Sequence, residues 1–199
     1  MRGLIVDTTI KGGYVAAFDG ERREVVTLAE GISTASAILP AVREALAALS
    51  LPKEGLDGVA AVVGPGSFTG IRIGVSFVNA FAFALGIPRF RITSFDVMRE
   101  CASSATAYAI DAGHDSYYTE ILSDEGSEDK NITVSDLPSG TLFQRDILPN
   151  LPQGALSVLS KAIEQHVFAL CAPSYLTDLL KPYYMRKSQA ERMKDVHAE

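Results

Sequence analysis

Gly64-Pro65-Gly66-Ser67-Phe68-Thr69-Gly70-Ile71-Arg72-Ile73-Gly74 follows a short apolar run, Val59-Ala60-Ala61-Val62-Val63. The run reads as a buried strand. The residues after it, Val75 to Leu85, read as a helix closed by Gly86 and Pro88. A strand, a glycine-rich turn and a helix in that order invite a phosphate-binding reading, because free backbone N–H groups at a helix start attract anions. The residue types argue against the standard loops. A P-loop needs lysine before its Ser/Thr, and none is present; the dinucleotide fingerprint needs a third glycine where Thr69 stands. The stretch is read as a rigid strand-to-helix turn with Ser67 as the N-cap.

Upstream, Leu4–Val6, Tyr14–Phe18 and Glu24–Leu28 are strand candidates, separated by Gly12-Gly13 and by Asp19-Gly20. Short turns make them an antiparallel meander. Ser33 or Thr34 caps a helix running to Leu49, with Ala35, Ile38, Leu39, Val42, Leu46 and Leu49 as its apolar stripe. Pro40 inside it predicts a kink. Downstream, Arg89–Thr93 reads as a short strand and Ser94 as the cap of a helix from Phe95 to Ser103.

The second half opens with Tyr108–Asp111, a turn, and Ser116–Leu122, which echoes the strand, Asp-ended turn and strand of residues 5–18. The echo points to two related halves. Ser123 to Lys130 reads as a charged turn, Ile132–Val134 as a third strand, Leu137–Gly154 as loop, and Ala155–Leu170 as a last helix. Met185 to Glu199 reads as a charged tail or a short exposed helix.

A length of 199 residues, 47% hydrophobic and 21% charged, fits one large domain or two small ones with a core of useful size. The net charge of -6 lacks the basic footprint of a stand-alone nucleic-acid binder. No apolar run is read as long enough to span a membrane, and the N-terminus enters a strand without a secretory h-region. Cys101 and Cys171, far apart, suit buried thiols in a reducing compartment, so the cytoplasm is expected.

The GPGSFTGIRIG stretch resembles the hallmark of the bacterial TsaB (YeaZ) family. Leu4-Ile5-Val6-Asp7-Thr8-Thr9 is similar to that family's opening, Tyr108-Ala109-Ile110-Asp111-Ala112 to the start of its second half, and Lys181 to Lys187 to its closing motif. The resemblance implies a duplicated, actin-like ATPase (ribonuclease H-like) α/β fold: two lobes of mixed sheet with helices, residues 1–104 and 105–199. It implies a non-catalytic partner that binds and activates TsaD for threonylcarbamoyl transfer to the adenosine beside the tRNA anticodon. TsaE, an ATPase, engages the pair, and a TsaC-type enzyme supplies threonylcarbamoyl-adenylate. Homodimers form as well, tRNA is reached only through the complex, and ATP or ADP is expected at the level of the complex.

In the actin-like relatives an Asp in each hairpin turn holds metal and phosphates, which makes Asp7 and Asp111 the cofactor-binding candidates. The competing class is therefore an ATPase or small kinase using both. The other reading of each Asp is a side chain satisfying its own turn N–H groups, and Thr8-Thr9-Ile10-Lys11 lacks an early glycine for phosphate approach. A third option is a peptidase, yet Ser67 and Thr69 sit in no nucleophile elbow. His114, His166 and His197 show no metal-pair spacing, and the lone histidine that relatives keep at the first helix is replaced by Gly31-Ile32-Ser33-Thr34.

In the helix after the glycine turn, Ile71, Val75, Val78, Ala82 and Leu85 share one stripe, and Ile73, Phe77, Ala80, Phe81 and Ala84 a second. Arg72, Ser76 and Asn79 form a polar edge with Phe83 among them. One stripe packs on the sheet. The second is covered either by the Ser33–Leu49 helix or by another subunit. The resemblance favours a subunit, since in that family these two helices dock TsaD or a second copy. The expected partner-binding set is Ile73, Phe77, Phe81 and Arg72 on one helix, Ile38 and Val42 on the other, with Gly70 and Gly74 permitting close approach.

Overall fold

The computed structural model describes residues 1–123, 126–167 and 178–185. The proposed C-terminal tail from Arg186 onward, Cys171, His197 and the end of the expected last helix lie outside these residues. The first sheet opens with the meander β1 (Arg2–Asp7), β2 (Tyr14–Asp19) and β3 (Arg22–Thr27). Helix α1 (Thr34–Ala48) then crosses to β4 (Gly58–Val62), parallel to β1, and α2 (Phe68–Leu85) crosses to β5 (Arg89–Ile92), parallel to β4. The strand order is β3-β2-β1-β4-β5.

After α3 (Ser94–Cys101) the pattern repeats with β6 (Ala107–Gly113), β7 (Ser116–Ser123) and β8 (Gly126–Thr133) as a second meander. β9 (Thr141–Phe143) lies parallel to β6, giving the order β8-β7-β6-β9. The second sheet reproduces the first four places of the first. This is the duplicated ribonuclease H-like, actin-like architecture. Helix α4 (Leu151–Val167) returns to the first sheet, where Leu156, Leu159 and Ile163 join Ile5, Phe18 and Phe90 in one core.

Both faces of the first sheet are covered, which explains its unbroken apolar runs. Leu4, Val6, Val59 and Ala61 point to α1 and α2; Ile5, Ala60, Val62 and Ile92 point to α3, α4 and β6. The buried stripe of α1 is Ala37, Ile38, Ala41, Val42, Ala45 and Leu46. Ala35 and Leu39 instead face solvent, because at 100° per residue they fall on the far side of this stripe. The helix runs on through Pro40 as one element.

Other boundaries differ from the sequence reading. Helix α2 begins at Phe68, so most of the glycine stretch is helical rather than turn; Ser67 is its N-cap and Gly86 its left-handed C-cap. Thr93, not Ser94, caps α3, in a capping box with Asp96. The charged segment read as a turn is largely β8, an edge strand whose exposed polar residues gave no apolar alternation. Residues 137–154 hold β9, a 3-10 segment at Gln144–Asn150 and the first turn of α4. The expectation that no run reaches membrane-spanning length is also corrected, since α2 has 18 residues and a mean hydropathy of 1.5. Its apolarity has a nearer cause in the core, where Ile71, Val75, Val78 and Ala82 are buried.

Candidate functional site

The glycine stretch is a junction within the chain. Thr8 and Thr9, just past β1, lie against the start of α2: Ser67 N donates to Thr9 O at 2.8 Å, and Thr8 Oγ1 donates to Gly70 O at 2.6 Å. A Cβ on Gly70 would lie 2.9 Å from the Thr8 carbonyl carbon and closer still to its oxygen. A Cβ on Gly74 would overlap the Thr8 hydroxyl. These two glycines admit β1 to the helix; the room expected there for a partner is already taken. Ser67 Oγ accepts from Gly70 N at 3.2 Å, and Ser94 at the start of α3 ties in through Ser94 N to Gly64 O at 2.9 Å.

The structure divides the other expected partner residues. Ile38 is 0% exposed and Val42 2%, both packed in the core under α1, so neither presents a surface. Ile73, Phe77 and Phe81 are half-buried along one flank of α2, with the Phe77 and Phe81 rings stacked at 5.5 Å. Arg72 lies on the opposite flank, its guanidinium 5.7 Å from the Phe68 ring. Phe83, grouped with the polar edge, is 81% exposed. Sequence reasoning missed it because the residues around it, Arg72, Ser76 and Asn79, are polar. With Ala80 and Ala84 also exposed, the outward side of α2 is an apolar face running from Ile73 to Ala84.

A cleft of about 360 Å³ lies between the two sheets, its walls including Thr9, Lys11, Ser67, Asp111, Tyr117 and Arg145. Asp111 reaches it as an exposed side chain that accepts from Gly113 N at 2.7 Å, a turn bond. Asp7 is elsewhere: it is 2% exposed and its Oδ1 accepts from Thr9 N at 2.8 Å and Thr9 Oγ1 at 2.7 Å. Burial pushes the Asp7 carboxyl above its usual range, against the pull of the Thr9 bonds. Its cross-strand neighbour Tyr14 has a buried hydroxyl without a hydrogen-bond partner of good geometry, and burial plus the Asp7 charge push that phenol well up. The two acids therefore do not converge on one ligand. Among the described residues no three His, Cys, Asp or Glu side chains are grouped to hold a metal ion. His114 sits exposed in the β6–β7 turn, and burial raises the half-buried Cys101 thiol, which faces Asn150 O at 3.4 Å.

Comparison with known proteins adds to this geometry. A family profile described as TsaD, tRNA N6-adenosine threonylcarbamoyltransferase, matches residues 33–131. The Haemophilus influenzae tRNA threonylcarbamoyladenosine biosynthesis protein TsaB is 30% identical over 133 residues, 63% of this chain and 56% of that protein. The structure of YeaZ from Pseudomonas aeruginosa superposes with a TM-score of 0.58 at 26% identity, covering 69% of each chain. The chain resembles the TsaB/YeaZ proteins in sequence and in fold. A solved structure described as an uncharacterized protein with similarity to peptidase YeaZ from Pseudomonas aeruginosa shares the fold, with a TM-score of 0.69 at 19% identity over 93% of this chain and 99% of that one. The chain spans about half the length of the curated relatives it matches. Within the TsaB/YeaZ frame, the junction at Gly70 and Gly74 is what holds α2 in place, and the outward face of α2 is the surface it carries.

Proposed function

We propose that this chain is a non-catalytic subunit of the tRNA threonylcarbamoyladenosine machinery, docking a TsaD-type partner through the outward face of α2. The observation that carries the reading is Phe83, a large apolar side chain 81% exposed on a helix whose Phe77 and Phe81 are also partly open. An apolar face of this kind on a rigid helix is a docking surface in the helix-to-helix mode. The names of the TsaB relatives and the TsaD profile support the pathway and the partner. TsaE and a second copy of the chain are further partners of the same assembly, with tRNA reached through it in the cytoplasm. Nucleotide, on this reading, binds only at the level of the complex.

The test mixes the purified chain with TsaD from the same organism and weighs the species by light scattering. A one-to-one complex is expected, lost in Phe83→Asp and in Phe77→Asp while circular dichroism keeps both variants folded. Absence of any complex with the wild type, with or without ATP, overturns the reading. Saturable ATP binding by the chain alone, lost in Asp111→Ala, would favour the ATPase class instead.

A further inference from the structure

Residues 178–185 form a strap that meets both sheets. Leu180 is buried beneath α2, and the Asn79 side chain clamps its backbone: Leu180 N donates to Asn79 Oδ1 at 2.9 Å and Asn79 Nδ2 donates to Leu180 O at 3.0 Å. Farther along, the Tyr183 amide donates to Val63 O at 2.8 Å, at the end of β4. The Tyr183 ring lies under Arg91 of β5, 5.4 Å from the guanidinium carbon. Its hydroxyl leaves the first sheet altogether and donates to the Asp129 carboxylate on β8. One residue is thus bonded to both sheets.

The place it grips is an electrostatic weak point. Asp129 is paired directly opposite Glu120 of β7, so two carboxylates face each other across the antiparallel ladder. Like charges so placed push a hairpin apart. Glu120 is 5% exposed; its Oε1 accepts from Arg99 of α3, which also holds Asp96, and its buried Oε2 has no hydrogen-bond partner among the described residues. Burial pushes Glu120 above the usual carboxylate range, Arg99 pulls it back, and the charges of Asp129 and Asp96 push it up again. Each carboxylate of the pair is held by one donor from outside the hairpin, Arg99 for Glu120 and Tyr183 for Asp129.

We propose that Tyr183 is a latch whose hydroxyl, on Asp129, fastens the β7–β8 hairpin to the strap on the first sheet. Opening it leaves the Asp129 charge facing Glu120, so the hairpin swings or frays while the first sheet stays intact. The device is independent of what docks on α2.

Tyr183→Phe keeps the ring under Arg91 and the amide on Val63 and removes only the hydroxyl. Hydrogen exchange on the full chain at neutral pH, read by mass spectrometry, should show the β7–β8 amides exchanging about tenfold faster, the loss expected for a hydrogen bond to a charged group. The β1 and β4 amides should be unchanged. Adding Asp129→Asn to Tyr183→Phe removes the unpaired charge and should restore part of the protection. Unchanged β7–β8 exchange in Tyr183→Phe overturns the latch, as does equal acceleration across both sheets. No recovery in the double variant overturns the role of the carboxylate pair.

Discussion

Alanine at Gly70 and at Gly74 should have different consequences, because the two glycines meet different atoms of the same residue. At Gly70 the added Cβ runs into the Thr8 backbone carbonyl, 2.9 Å from its carbon. That group cannot rotate away, so β1 or α2 must shift, at a cost of about 3 kcal/mol or more as in other overpacked cores. At Gly74 the Cβ overlaps the Thr8 hydroxyl but stays 3.6 Å from Thr8 Cβ. Only a hydroxyl is in the way, and turning it aside breaks its 2.6 Å bond to Gly70 O in a buried setting. Breaking that bond costs about 1–3 kcal/mol, offset by about 1 kcal/mol of helix propensity gained from Gly to Ala. Gly74→Ala should therefore be destabilised by about 1 kcal/mol in the wild-type background. In a Thr8→Ala background the obstacle is gone and Gly74→Ala should stabilise by about 1 kcal/mol. Thr8→Ala should give Gly70→Ala no relief. Urea unfolding of the six proteins, compared at constant m, reads the cycle. A Gly70→Ala protein of wild-type stability, or a Gly74→Ala effect of the same sign in both backgrounds, would refute the packing account of the glycine stretch.

Two further outcomes follow from burial. Ile38→Ala should cost about 2–5 kcal/mol in thermal or chemical unfolding, as a cavity beneath α1 demands, while Phe83→Ser should stay within about 0.5 kcal/mol of wild type; equal effects would mean that exposure has been assigned to the wrong residues. Asp7→Asn keeps an oxygen for both Thr9 donors and removes a charge whose burial holds the carboxyl above its ordinary 3.8. The ionised form costs folding stability above the raised pKa, and that cost fades as pH falls towards 3.8. The variant should thus be at least as stable as wild type at pH 7, with its advantage shrinking as pH falls towards 3.8. A large loss at pH 7 would mean that the Asp7 charge is used, as a cation site would require.

The sequence was most legible where one periodicity ruled. The first meander, β4 and the C-terminal end of α2 follow from apolar runs and their glycines, and the echo around Asp7 and Asp111 appears in the structure as two sheets with matching strand order. What failed did so for physical reasons. Edge strand β8, Gly-Ser-Glu-Asp-Lys-Asn-Ile-Thr, has no buried side and so no alternation to read. Contacts distant in sequence were out of reach: nothing near Gly70 indicates that Thr8, 62 residues away, fills the space beside it. Ile38 and Val42 were placed on a docking face because apolar stripes look alike whether they meet a sheet or a partner. Only the register of α1 on β2 and β3 separates them from the exposed Leu39.

Helix α2 shows how those errors and the proposed function share one cause. A helix lying on a sheet needs an apolar stripe on one side, and polar residues serve the other. In α2 the sheet-facing side is filled by Ile71, Val75, Val78 and Ala82, and the flank at Asn79 is occupied by the strap through Leu180. Among the described residues these fill the sheet side of α2, with Ile73, Phe77 and Phe81 packed in part against the rim of the same core. Ile73, Phe77, Ala80, Phe81, Phe83 and Ala84 lie on the outward side, where Thr69, Arg72 and Ser76 are the polar exceptions. Burial inside this chain requires none of Phe83 and only part of the Phe77–Phe81 stack. The surplus apolarity of α2 is what a folded partner would cover, and together with the buried stripe it gives the helix its membrane-span-like composition.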